Sequence, residues 1–139
     1  GDVINRGASS LSYGLFDVAE DEFYQQVSAD QANKVANVAG KISFAHALGD
    51  SNVLSLATRA AGALVAVYMT DTYTIKPKNR RSAIAVAGNE KIMLGADGST
   101  RGIKSVYGDM LLFYVPAVSD QSGIRLLGVT QGLVSVRSL

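Results

Sequence analysis

The densest run of chemically capable side chains is Lys76-Pro77-Lys78-Asn79-Arg80-Arg81, four cations within six residues. Cations so spaced neutralise phosphates, and Tyr73 just upstream offers a ring on which a base can stack. Arg101 and Lys104 follow a hairpin or two later and are expected to join the same surface. Lys76, Lys78, Arg80, Arg81, Arg101 and Lys104 are therefore the candidate contacts, either for nucleic acid or for another subunit. Two observations favour a plain solvated turn instead. The sequence pI is about 8.2, below the value of roughly 9 exceeded by dedicated nucleic-acid binders. A charge run beside proline is also what an exposed turn contains.

Other chemistry is thinly represented. His46, the only histidine, is the one group suited to acid–base work near neutral pH. It falls four residues after Ile42 in an apolar pattern, which reads as a hydrogen-bonded core or interface histidine. The chain has no cysteine, which removes disulfides, thiolate metal sites and cysteine nucleophiles together. The acidic cluster Asp17, Glu20, Asp21 and Glu22 lacks the alternating oxygen ligands of a calcium loop and suits a helix start through the macrodipole. Gly95 to Gly102 is glycine-rich, yet no lysine stands where a phosphate-binding loop requires it. No nucleophile elbow of the G-x-S-x-G kind occurs. The expectation is no metal, no cofactor and no small-molecule ligand, and the balance leans against an enzyme.

One enzyme class needs few diagnostic residues. Small metal-independent ribonuclease toxins of the barnase–RelE type also place helices before an antiparallel sheet, and they work with Arg, Lys and Tyr. Lys91, Arg101, Lys104, Tyr107, Tyr114, Arg125 and Arg137 would supply such a surface here. This likeness is one of architecture and rests on no motif.

The elements expected to position these residues fall into two halves. Residues 1–16 read as an irregular or extended arm. Asp17 with Glu20 forms a capping-box pattern for a short helix over about 18–27. Ser28 with Gln31 repeats it for a second helix, in which Ala32, Val35, Ala39, Ile42, Ala45 and His46 recur at three- and four-residue steps and Gly49 ends the run. Val53 to Tyr68 reads as a third helix, with a strand as the alternative for Leu64–Met69 because of its β-branched content. From Thr70 the period changes to two. Short strands are expected at 83–87, 91–94, 103–106, 110–115, 124–130 and 133–137, with turns at Gly88-Asn89, Asp97-Gly98, Gly108-Asp109 and Ser119–Gly123. The fold class expected is α+β: two or three N-terminal helices (17–69) packed on a C-terminal antiparallel meander (70–139), within one domain over 1–139.

Composition points to self-association. Only 18% of the 139 residues are charged and 47% are hydrophobic, which leaves little charge to cover a monomer's surface. The net charge of +1 conceals an acidic first third and a basic second half, an asymmetry that favours contacts between copies. The leading expectation is a non-enzymatic structural or assembly protein, such as a component of a virion, a phage tail or a secretion apparatus. A nucleic-acid-binding module using 76–81 is the alternative. No signal peptide is read in the chain, and the longest apolar stretch, Ala60–Met69, falls short of the ~20 residues that span a bilayer. A soluble homo-oligomer is expected, of unassigned compartment.

Overall fold

Residues 40–48 alternate Ile42, Phe44, His46 and Leu48 with Lys41, Ser43, Ala45 and Ala47, and they form a strand rather than the second half of a helix. In the computed structural model, which describes residues 13–16, 22–37, 40–49 and 53–139, this is β1 (Gly40–Leu48). It follows α1 (Glu22–Asn37) and precedes β2 (Leu54–Ala57) and β3 (Ala63–Pro77). Then come β4 (Ile84–Ala85), α2 (Gly88–Leu94), β5 (Gly98–Ser99), β6 (Ile103–Val115) and β7 (Arg125–Ser138).

The architecture is mostly β, which corrects the expected helical first half. One helix, α1, spans the boundary expected at Ser28, and the third expected helix is replaced by β2 and β3. The three- and four-residue steps from Ala39 to His46 also contain the period of two, and pairing with β3 selects it. Along β1, Ile42, Phe44 and His46 are more buried than their neighbours, as a strand requires. Gly40 opens this strand against β3: a Cβ there would strike the Lys76 carbonyl oxygen. The apolar run after Arg59 is β3, whose β-branched residues suit a central strand.

The second half is antiparallel, with fewer and longer strands than expected. Gly108-Asp109 does not turn but lies inside β6, and the two strands expected at 124–130 and 133–137 run on as one, β7. Lys91–Leu94 belongs to α2, not to a strand. Ser119–Gly123 does lie in the connection between β6 and β7. The proposed Asp17–Glu20 capping box and the arm before Tyr13 lie outside the described residues. Tyr13–Leu15 form a single 3-10 turn, and Phe16 bridges Ile124.

The main sheet has five strands in the order β1-β3-β6-β7, with β2 also pairing β3. Because β1 pairs with Met69–Pro77 and β2 with Ala63–Ala66, the two act as successive pieces of one edge. The sheet is thus four columns wide. Its two faces differ sharply. On one, Val27 of α1 packs on Met69 and Leu111 with Phe113 and Leu126, and this is the core. Phe16 meets Phe113 edge to face. The excursion from β3 to β6 folds over the same face. No described helix covers the other.

Candidate functional site

The covered face carries a polar network between the two helices. Tyr73 donates its hydroxyl to the Glu90 carboxylate, and the Ser105 hydroxyl donates to the same oxygen at 2.9 Å. Tyr107 stacks on Tyr73 with ring centroids 5.7 Å apart. Burial pushes the Tyr107 phenol up, and the neighbouring Glu90 carboxylate adds to this. Glu90 thereby fastens α2 to β3 and β6. A cleft of about 300 Å³ beside α1 is lined by Gln31, Asp71, Tyr73, Tyr107 and Gln131, among others.

His46 belongs to this network. Its Nδ1 lies against the Asp71 carboxylate, and its Nε2 is 2.6 Å from the Gln31 amide nitrogen. The ring thus lies between the Gln31 amide and the Asp71 carboxylate. Burial pushes His46 down to about 4, in agreement with a neutral ring. Both nitrogens are engaged, and the residue knits α1, β1 and β3 together, as the sequence led one to expect of a buried histidine. Asp109, at the centre of β6, is fully buried. Neither of its oxygens has a hydrogen-bond partner among the described residues. Burial pushes its carboxyl up; the Gln131 side chain opposite on β7 draws it down by a smaller amount, without reaching hydrogen-bond geometry to either oxygen.

The uncovered face is the more informative surface. Residues paired directly across antiparallel strands share a face, so the register assigns its lining. At one end lie Leu54, Ala66, Leu112 and Gly128 in one row and Leu56, Leu64, Tyr114 and Arg125 in the next. At the other end lie Ser43, Thr74, Lys104 and Arg137 in one row, with Lys41 beside Lys76 beyond it. Tyr68 crosses the middle, where its hydroxyl leaves no room for a side chain at Gly108: a Cβ would lie 2.6 Å from it. The face therefore has an apolar half and a basic half. Its strand positions hold Lys41, Lys76, Lys104, Arg125 and Arg137 and no carboxylate; the strand acids Asp71 and Asp109 both point to the covered face.

No protein-family model matches the chain, and no curated protein or solved structure matches it. The site is therefore read from its own geometry.

Of the six residues singled out by sequence, Lys76 and Lys104 stand on the uncovered face. Arg101 immediately precedes Gly102, which packs against the end of β3 at Ile75 and Lys76. Lys78, Arg80 and Arg81 lie in the exposed turn after β3, held by Asn79, whose Oδ1 accepts from the Arg81 N–H and the Ser82 hydroxyl at 3.0 Å each. All six thus gather at one end of the sheet. Sequence reasoning left out Lys41, which fell within the second expected helix; its alternation with Ile42 and Phe44 was the available signal. The residues grouped for phosphodiester chemistry are separated. Lys104, Tyr114, Arg125 and Arg137 belong to the uncovered face, Tyr107 to the covered one, and Lys91 to α2, where it pairs with Asp97 at 2.5 Å.

Among the described residues no helix is long and apolar enough to cross a membrane.

Proposed function

We propose that this chain is a non-enzymatic assembly protein that self-associates through the apolar half of its uncovered sheet face. The observation that carries the reading is the exposure of Leu54 (65%), Leu56 (70%), Met110 (47%) and Leu112 (39%) on that one surface. An antiparallel sheet tolerates a wet face when that face is polar. The threonine- and lysine-bearing half meets this condition and the leucine half does not. A contiguous apolar patch rimmed by polar residues marks an interaction surface.

The occupant we favour is a second copy. A two-fold contact buries the same patch on both partners, and leucines are self-complementary where charges are not. Two copies meeting face to face would oppose their basic halves, so the registry that fits is offset, with apolar halves overlapping and basic halves left free. The low overall charge agrees with surface reserved for such contacts. A subunit of a virion, a phage tail or a secretion apparatus is the kind of protein this describes. Light scattering coupled to size exclusion tests it: a mass above 14.6 kDa at micromolar concentration supports the reading. A concentration-independent monomer overturns it.

A further inference from the structure

We propose that the basic half of the uncovered face binds single-stranded nucleic acid, with Lys41, Lys76, Lys104 and Arg137 taking successive phosphates. Each of the four columns contributes one of these cations: β1, β3, β6 and β7 in turn. With columns about 4.8 Å apart, they form a band across the end of the sheet, matched to a chain of regularly spaced negative charges.

The register shows that this band is costly to the free protein. Lys41 sits directly opposite Lys76, and Lys104 directly opposite Arg137. Like charges directly opposed across strands destabilise a sheet. Among the described residues none of the four has a carboxylate partner, and no acid stands on the face to relieve them. A sheet that places two like-charged pairs side by side is fitted to a polyanion that neutralises both. Thr74 and Ser43 in the same row supply hydroxyl donors for phosphate oxygens. Tyr68, lying flat further along the face over Gly108, gives a ring for stacking. A four-column sheet is too broad to enter a duplex groove, so the partner is a single strand. This inference is independent of self-association, because the apolar half carries that contact.

The experiment is fluorescence anisotropy of a labelled oligouridylate of about 12 nucleotides, a length such surfaces accommodate, titrated with the full chain between 50 and 200 mM salt. Four phosphate contacts on a single strand predict a log–log salt slope of about −2.8, an affinity loss of roughly 50-fold over that range. Lys104→Gln/Arg137→Gln halves the slope to about −1.4, or roughly sevenfold. The same variant melts no lower than the parent, because it relieves a repulsive pair; a purely structural role would lower the melting temperature. Leu56→Gln/Leu112→Gln, chosen to break self-association, leaves the slope unchanged, so the two proposals fail separately.

Three results overturn the inference. One is no binding at 50 mM salt. Another is an unchanged slope in Lys104→Gln/Arg137→Gln while Lys78→Ala/Arg80→Ala/Arg81→Ala removes binding, which would move the contact to the turn. The third is loss of oligomer mass in Lys104→Gln/Arg137→Gln without any change in RNA binding, which would make the basic half a seat for the acidic region of another copy.

Discussion

Replacing Asp109 by leucine should stabilise this protein at neutral pH. The carboxylate is fully buried at the centre of β6, between Met69 opposite on β3 and Gln131 on β7, with no hydrogen-bond partner for either oxygen among the described residues. A buried polar group left unpaired costs about 1–3 kcal/mol, and more when charged. Leucine removes that cost and adds apolar contact beside Met69 and Leu111, which already form the core. A gain of about 2 kcal/mol at pH 7 is expected. The pH dependence carries the sign. Burial raises the folded carboxyl above its ordinary value of 3.8, so between that value and the folded one the native state holds more protons than the unfolded chain. Stability contributed by this residue is therefore greatest in acid and falls as pH rises through that window. Urea denaturation of parent and Asp109→Leu at pH 4, 5.5 and 7 gives the difference directly, and other titrating groups cancel in it where the sites are independent. The advantage of the variant should be largest at pH 7 and shrink towards pH 4. A variant less stable than its parent at pH 7 by about 1 kcal/mol or more would refute the reasoning, since the carboxylate would then be a paired, supporting group.

Met69→Ala should cost about 2–5 kcal/mol in the same assay, because Met69 is almost wholly buried where α1 meets the sheet; a loss below 1 kcal/mol would place the core elsewhere. His46 gives a dependence of the opposite sign to Asp109. Its pKa falls from 6.5 to about 4 on burial, so stability declines as pH drops from 6.5 towards 4, by at most about 3 kcal/mol. His46→Gln should abolish that decline, and an unchanged slope would assign it to other groups.

The parts of this fold legible in sequence were those where one period is available. Thr70 to Ile75 alternates without ambiguity and lies within β3. Residues 32–48 satisfied a helical period as far as His46, but Ile42, Phe44, His46 and Leu48 also alternate, and only pairing with β3 decides between the two. Propensity is weak there, so tertiary contact overrides it. Gly108-Asp109 resembled a turn, whereas its glycine is required because the Tyr68 ring lies across the strand at that point. The basic residues were visible as a run along the chain, centred on Lys78 to Arg81. Their arrangement on a surface was not, since Lys41 and Arg137 join Lys76 and Lys104 only through the register of four strands. The leucine patch was equally hidden: Leu54 and Leu56 read as part of a third helix and instead stand exposed on β2.

The central claim is that the leucine half of the uncovered face is covered by a second copy, and the solution mass of parent and Leu56→Gln/Leu112→Gln tests it most directly. Each exposed leucine that becomes buried contributes about 1–2 kcal/mol to association, scaled from ~1.5–3 kcal/mol for full burial. Both partners carry the pair, so the double variant should weaken assembly by well over tenfold. The account predicts a parent whose mass is a multiple of 14.6 kDa at micromolar concentration and a variant that runs as a folded monomer. A parent that stays monomeric throughout, or a variant whose mass equals that of an oligomeric parent, would contradict it.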